Sequence, residues 1–226
     1  MRDLIEIGRF HRKVLYDPYQ QKPEPIVSRD NRFTVEERID KDGNVLEALN
    51  ENDVRQVAAK IREKGITSVC VGFMNSYVNG KHEKRAAEIL KEELPDAYVI
   101  ASSQILPNIG ALGRFTTGII NAALYHLVSN YIENLEDRLR GKGFKGKLLL
   151  VQSNGGAITA ELIRTKPETL LMSGPAGGVV GALSIGKVSG QEDIITFDMG
   201  GTSTDISIIE KSKPFMSSDF EIDWDM

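Results

Sequence analysis

Apolar and polar residues alternate with two different periods along the first half of the chain. Between residues 50 and 64 the apolar positions recur at helical spacing, and Gly65 follows as a helix end. A near-continuous apolar run comes next, which is typical of a strand buried on both faces of a parallel sheet. A charged amphipathic segment and a short apolar segment follow it. The pattern predicts helix, strand, helix and strand in a parallel α/β layer, at residues 50–64, 67–73, 81–93 and 97–101.

The second half of the chain combines one long helix with shorter elements. One face of residues 115–140 is apolar at helical spacing, which predicts the long helix. The sequence then predicts a buried strand, a short strand, a helix of small residues and a β-hairpin, at residues 147–152, 169–172, 176–188 and 194–209.

The two ends of the chain give shorter signals. They predict a short helix, an extended connector, a hairpin turning at Asp42-Gly43 and one or two last strands, at residues 1–9, 16–28, 33–46 and 213–223. Trp224 and the aromatic residues near it are expected to pack against sequence outside this chain.

Composition restricts the class of protein. The 226 residues are 41% apolar and 27% charged, which is ordinary for a soluble globular protein. The net charge of −4 gives no sign of a nucleic-acid surface, and no apolar stretch approaches the ~18 residues of a membrane span. The single cysteine, Cys70, lies in an apolar run, which predicts a buried thiol, no disulfide framework and a cytoplasmic location.

The turn of the predicted hairpin at residues 194–209 gives the clearest indication of a ligand-binding site. Asp198 ends its first apolar run, and Asp205 opens the second. Glycine N–H groups can turn toward an anion, hydroxyls add donors, and carboxylates suit Mg²⁺, which also keeps several waters. A plain hairpin turn is the structural alternative, but it needs neither the hydroxyls nor the carboxylates. The predicted phosphate-binding residues are Gly200, Gly201, Thr202, Ser203, Thr204 and Asp205, with Asp198 holding Mg²⁺ through water.

Two further motifs are weaker candidates for the same site. Residues 152–156, QSNGG, are typical of a turn, although the carboxyl end of a strand is also where α/β sheets bind ligands. Residues 173–186, SGPAGGVVGALSIG, predict a helix selected for close packing, because its glycines lower helix propensity. Such a helix can act as a hinge between two lobes, and only its N-terminal end can contact a ligand. The weaker candidates are Ser153, Asn154, Gly155, Gly156, Ser173 and Gly174.

The histidines and the cysteine form no catalytic pattern. His82, beside Glu83 at a predicted helix start, is expected to be a capping or surface residue. His11 and His126 lack metal-ligand spacing. The sequence contains no Cys/His or Ser-His-Asp arrangement and no Walker-type phosphate loop.

Four motifs together resemble the hydantoinase A/oxoprolinase family. They are GALGRFTTGIINAAL, LLLVQSNGG, LLMSGPAGGVVGA and FDMGGTSTDISI, in this order. The segments RDLIEIGR, FTVEERIDKDGNVLEALNENDV and VCVGFMNSYVNGKHEKRAAEIL are similar to the second half of the family's N-terminal domain. The resemblance therefore covers essentially the whole chain. It implies a domain division into residues 1–101 and 102–226.

The resemblance implies an α/β fold with actin-like, ribonuclease-H-like lobes that clasp ATP. Residues 173–186 would correspond to the helix connecting the lobes, and residues 198–205 to the second phosphate hairpin. The implied cofactors are ATP and Mg²⁺. The implied partners are a small cyclic amide, a hydantoinase B-type subunit or domain, and further copies in an oligomer. Neither nucleic acid nor a membrane is an implied partner.

Family members begin with an earlier phosphate hairpin and continue past the second, and this sequence shows neither part. The expectation is an internal fragment that holds half of an ATP site and is inactive alone. Three functions stay open: an ATP-dependent hydrolase of hydantoins or 5-oxoproline, an acetone- or acetophenone-type carboxylase subunit, and an actin-like nucleotide switch without small-molecule chemistry. The QSNGG and SGPAGG motifs resemble the hydantoinase branch and argue against the switch.

Overall fold

A computed structural model describes residues 2–9, 14–21 and 24–217. Within them the chain forms two compact units, whose boundary lies between Tyr125 and His126. The division predicted at residues 101 and 102 concerns family domains and stays a prediction. His11, Trp224 and any strand beyond residue 217 lie outside the described residues. No helix formed by the described residues is both long and apolar enough to cross a membrane.

The first unit is an α/β layer around two parallel strands. Strands β3 and β4 pair in parallel, from Ser68 opposite Tyr98 to Val71 opposite Ala101. The predicted helices and strands of this region are confirmed, as is the hairpin that turns at Asp42-Gly43. The elements are α1 (Leu4–Ile7), β1 (Arg38–Ile39), β2 (Val45–Glu47), α2 (Glu51–Glu63), β3 (Ser68–Val71), α3 (Lys81–Glu93), β4 (Tyr98–Ala101), α4 (Ser102–Ile105) and the first part of α5 (Ala111–Gly141).

Helices α2 and α3 cover one face of this small sheet. The side chain of Asn50 caps α2 by accepting a hydrogen bond from the N–H of Asp53, and Gly65 follows the helix at φ +64°. The apolar stripes of the two helices meet the strands in one core. Its buried members include Val54, Ala58, Ile61, Val71, Ala86, Ile89, Leu90 and Val99.

Helix α5 covers the other face of β3, and two glycines permit its close approach. A methyl group at Gly118 would lie 2.7 Å from Cys70 Sγ, and one at Gly72 would lie 2.6 Å from the Phe115 ring. Cys70 is therefore packed against α5, although it is only partly buried and not a full core residue as predicted. The long helix begins at Ala111, four residues before its predicted start.

The second unit contains two hairpins and the helix α7. Two predictions are wrong here. The strand at residues 147–152 is not buried, since it pairs with β6 and leaves Leu149 and Val151 exposed. Residues 167–170 form a 3₁₀ turn in place of a strand, because Pro167 suits a first helical turn. The remaining elements are β5 (Leu149–Val151), β6 (Ala157–Thr159), α6 (Ala160–Ile163), α7 (Ser173–Ser189), β7 (Ile194–Met199), β8 (Thr204–Glu210) and β9 (Lys213–Pro214).

Candidate functional site

The hairpin predicted at residues 194–209 is confirmed as an antiparallel pair of strands. Strands β7 and β8 pair from Ile194 opposite Ile209 to Met199 opposite Thr204. Residues 200–203 form the connecting loop, which is closed by a hydrogen bond of 3.0 Å from the N–H of Gly200 to the carbonyl oxygen of Ser203. Residues 200–204 are all exposed. The loop and the three hydroxyl side chains of residues 202–204 therefore lie at the surface of the second unit.

The two aspartates of the motif lie opposite each other at the loop end of the hairpin. Asp198 is the cross-strand partner of Asp205, and Thr196 is the partner of Ser207. Because cross-strand partners share a face of the sheet, all four side chains lie on the same side. The opposite face carries exposed apolar residues, including Phe197 and Ile206, which are paired with each other.

Helix α7 runs along the polar face of the hairpin. A methyl group at Gly178 would lie 3.9 Å from Asp198 Oδ2, and one at Gly186 would collide with Ile194. The eight residue steps from Gly178 to Gly186 span about 12 Å of helix. The four residue steps from Ile194 to Asp198 span about 13 Å of strand. Helix and strand therefore stay in contact side by side, and Gly178 gives the Asp198 carboxylate room.

The QSNGG turn contacts the same half of α7. The N–H of Gly156 donates to Asn154 Oδ1 at 2.8 Å, and the N–H of Gly155 donates to the Gln152 carbonyl oxygen at 2.9 Å. Gly155 has a φ of +78°, and a methyl group there would lie 2.7 Å from the side chain of Val180. The turn interpretation is thus supported by geometry, because both the backbone and the helix contact require glycine at this position.

Ser173 and Gly174 lie in the first turn of α7, which begins three residues before its predicted start. Met172 precedes the helix in the left-handed conformation, with φ 59°, and its side chain makes no capping hydrogen bond. The structure thus brings the hairpin and the QSNGG turn to neighbouring turns of α7. Ser173 and Gly174 have no described contact with either loop.

No group of three His, Cys, Asp or Glu side chains within the described ranges is arranged to hold a metal ion. The carboxylate pair of Asp198 and Asp205 is the acidic feature that the structure places at the candidate site. A pair of this kind fits Mg²⁺, which proteins commonly bind through one or two carboxylates together with substrate phosphates and waters.

The expectation that His82 is a capping or surface residue is wrong. It is 5% exposed, and its Nδ1 lies 2.8 Å from Glu37 Oε2, so it is neither a surface residue nor a helix cap. The adjacent Glu83 is fully buried and accepts four hydrogen bonds, which come from the N–H groups of Phe73 and Ser103 and the hydroxyls of Ser76 and Ser102. Sequence reasoning missed this network. The only indication of this network in the sequence is the adjacent His82 and Glu83 at the start of an otherwise apolar helix face.

Profiles of one protein family match both parts of the chain. The hydantoinase/oxoprolinase profile matches residues 114–224, and the profile of the hydantoinase/oxoprolinase N-terminal region matches residues 1–94. The first match contains the hairpin, α7 and the QSNGG turn.

Several curated proteins resemble the chain over most of its length. An uncharacterised protein of Methanocaldococcus jannaschii is 39% identical over 98% of this chain and 32% of its own length. The acetophenone carboxylase gamma subunit of Aromatoleum aromaticum is 32% identical over 85% of this chain and 27% of its own length. The 5-oxoprolinase of Pestalotiopsis fici is 32% identical over 95% of this chain and 18% of its own length. The chain thus spans a third or less of these relatives.

Two solved structures share the fold and confirm the α/β class. The ATP-dependent caprolactamase of Pseudomonas jessenii superposes with a TM-score of 0.84 at 30% identity, over 92% of this chain and 30% of that chain. Nucleotide-free acetone carboxylase superposes with a TM-score of 0.82 at 26% identity, over 96% of this chain and 33% of that chain. From its two profile matches, its relatives and these structures, the chain belongs to the hydantoinase/oxoprolinase family.

Proposed function

We propose that the loop between β7 and β8 binds the phosphates of ATP. Neither Gly200 nor Gly201 is among the described glycines with a positive φ. A methyl group at Gly201 would meet no atom within 4 Å, and one at Gly200 would lie 3.8 Å from the Ser203 carbonyl oxygen. The folded loop therefore does not itself require these glycines. Close approach of a phosphate to the backbone is a physical reason for them.

The carboxylate pair supports a bound Mg²⁺ at Asp198. Like charges directly opposite each other across a hairpin are destabilising, and Asp198 and Asp205 are such a pair. A divalent cation would offset the repulsion. Asp198 would hold Mg²⁺ through water, while Asp205 would orient the loop or a second water. Thr202 and Thr204 would add hydroxyl donors to the phosphates.

We propose that the whole protein is an ATP-dependent hydrolase that opens a cyclic amide such as a hydantoin or 5-oxoproline, releasing ADP and phosphate. Relatives named 5-oxoprolinase and ATP-dependent caprolactamase support this class. When bound, ATP would supply a phosphoryl group to the oxygen of a carbonyl whose carbon is poorly electrophilic, so that this oxygen could leave as phosphate. The residues of this chain contribute position and charge neutralisation, the two main elements of phosphoryl transfer catalysis.

We propose that the whole protein assembles with a hydantoinase B-type partner, as the family resemblance implies; relatives named as subunits support a multi-subunit assembly. They also support a second function, that of a subunit of an ATP-dependent carboxylase. The observation in its favour is the 32% identity with the acetophenone carboxylase gamma subunit. The motifs at the candidate site are common to both functions. A test of which substrate stimulates ATP turnover is therefore needed to distinguish them.

Nucleotide titration of the whole protein, with the segments that complete the ATP site, tests the site by calorimetry. We expect ATP to bind in the presence of Mg²⁺ and to bind at least tenfold more weakly in EDTA. Absence of binding, or binding that ignores Mg²⁺, would contradict the proposed site.

ADP release, measured with a B-type subunit added, tests the reaction. Stimulation by 5-oxoproline or a hydantoin supports the hydrolase, and stimulation by acetone with bicarbonate supports the carboxylase. Substrate-independent ATP turnover would argue for a nucleotide switch.

A further inference from the structure

Gly178 is a glycine that neither its helix nor its packing requires. It lies inside α7, where glycine lowers helix propensity relative to alanine. It is not among the described glycines with a positive φ. A methyl group there would meet one described atom within 4 Å, Asp198 Oδ2 at 3.9 Å, which is an ordinary contact distance. The fold of the second unit therefore accepts alanine at this position.

Other glycines that contact α7 or belong to it have a packing reason. A methyl group at Gly186 would collide with Ile194 and would lie 2.8 Å from the Gln191 carbonyl oxygen. The backbone of Gly155 and its contact with α7 both require glycine, as described above. At Gly178 the neighbour is instead a carboxylate oxygen, and it belongs to the aspartate that the proposed site assigns to Mg²⁺.

A methyl group at this place would restrict the hydration of that oxygen. A hydrogen-bonded water lies about 2.8 Å from a carboxylate oxygen and keeps about 3.5 Å from a methyl carbon. With a methyl 3.9 Å away, water is excluded from Asp198 Oδ2 within about 60° of the line that joins the two atoms. A cone of this width is broad enough to cover one of the two lone-pair positions of the oxygen. Glycine leaves both positions open.

We infer that the space between Gly178 and Asp198 Oδ2 holds a water molecule of the magnesium shell, which makes Gly178 a positioning residue for the metal. The inference rests on the proposed function, because the metal is the Mg²⁺ assigned to Asp198. This ion gives up water reluctantly and usually keeps several waters when a protein binds it. A carboxylate that holds it through water needs room around its oxygens. Gly178 supplies that room while α7 stays in contact with β7.

Alanine and serine at position 178 separate this role from packing. Gly178→Ala keeps the helix but fills the place of the water. Gly178→Ser adds slightly more bulk, and its hydroxyl can donate to Asp198 Oδ2 as a water would. Displacing an ordered water lowers affinity when the new group cannot replace its hydrogen bonds, so we expect Gly178→Ala to raise the Mg²⁺ concentration for half-maximal ATP binding about tenfold. Gly178→Ser should raise it less than about threefold, because the hydroxyl replaces the hydrogen bond.

Calorimetric titration of the whole protein with ATP at a series of Mg²⁺ concentrations provides the measurement. Thermal unfolding of the same proteins should show no loss of Tm in Gly178→Ala, since alanine favours the helix. Gly181→Ala is the matched control. It makes the same exchange one turn further along α7, where a methyl group would meet no described atom within 4 Å. We expect it to keep the native magnesium dependence.

Four results would overturn the inference while leaving the proposed function intact. The first is an equal magnesium dependence in the native protein and in Gly178→Ala. The second is an equal loss in Gly178→Ala and Gly178→Ser, which would show simple obstruction. The third is an equal loss in Gly181→Ala, which would attribute the effect to the flexibility of α7. The fourth is a lower Tm in Gly178→Ala, which would show that packing requires the glycine.

Failure of the proposed function is visible in the native protein alone. If its ATP binding ignores Mg²⁺, the proposed site and this inference both fall, whatever the variants do.

Discussion

Asp198 and Asp205 are direct cross-strand partners on the face of the β7–β8 hairpin that packs against α7. Two carboxylates in this arrangement repel each other. Because Gly178 has no side chain, α7 leaves room beside Asp198. The arrangement costs stability in the free chain, and bound Mg²⁺ would recover that cost. Bound Mg²⁺ should therefore stabilise the hairpin, and the folded hairpin should be required for Mg²⁺ binding.

We expect Asp198→Asn to lower ATP turnover of the assembled enzyme by about 10²-fold or more, because it removes a preorganised charge from the metal site. Magnesium-dependent ATP binding by the assembled enzyme should weaken in the same variant. The control is Glu210→Gln, which removes an equal charge from the far, exposed end of the same hairpin. Unchanged turnover in Asp198→Asn would show that the hairpin is only structural.

Two glycine variants should separate stability from phosphate binding. Gly155→Ala introduces a side chain at a φ of +78° and against Val180, so we expect it to reduce the free energy of unfolding by on the order of 1–2 kcal/mol. Gly201→Ala places a methyl group in open space and should leave stability unchanged within about 0.5 kcal/mol. It should nevertheless weaken ATP binding.

Thermal unfolding and calorimetric titration of the same two proteins provide the measurements. A normal ATP affinity in Gly201→Ala would show that the phosphate does not approach the backbone at this glycine. A large loss of stability in Gly201→Ala would show that the loop itself requires the glycine.

Local signals in the sequence predicted much of the fold. Helix α3 has the predicted bounds, because its amphipathic period lies between Gly80 and Pro95. The partners Asp198 and Asp205 follow from alternation around a short turn. In contrast, the strand predicted at residues 169–172 is a 3₁₀ turn, because Pro167 and the local hydrogen bonds outweigh a short apolar run.

Contacts between distant residues could not be predicted. His82 and Glu37 are 45 positions apart, and Gly178 and Asp198 belong to different elements that meet only in the folded unit. The exposure of β5 could not be predicted either, since an apolar run does not reveal how many neighbours its strand has.

Glu83→Gln should destabilise the first unit strongly. The Glu83 carboxylate accepts hydrogen bonds at both oxygens, and Ser103 donates its N–H to Oε2 at 2.8 Å. An amide NH₂ at that position would face another donor, and the nearby buried Arg114 would lose a compensating charge. We expect a loss of about 3 kcal/mol in the free energy of unfolding.

Urea unfolding checks this expectation. Glu88→Gln, in the same helix, is the control, because Glu88 is exposed where it pairs with Arg85 and its loss should cost less than about 1 kcal/mol. Equal effects of the two variants would mean that the buried network contributes no more than a surface ion pair.

Cys70 should make stability depend on alkaline pH. Burial, aided by the Glu83 carboxylate and opposed by Arg114, raises the pKa of the Cys70 thiol to about 12. In the unfolded chain the thiol has its ordinary pKa of 9.0. Between these values the folded chain binds more protons than the unfolded chain, so stability falls as pH rises. The contribution of the thiol is fully present below about pH 9 and is lost progressively toward pH 12.

The measurement is the free energy of unfolding between pH 8 and the highest pH at which unfolding is reversible, for the native chain and for Cys70→Ser. Every other titratable group is present in both proteins, so the difference between the two curves isolates the thiol. We expect the native chain to lose stability more steeply than Cys70→Ser. Parallel curves would show that the thiol ionises alike in the folded and unfolded chains, and the buried environment assigned to Cys70 would be wrong.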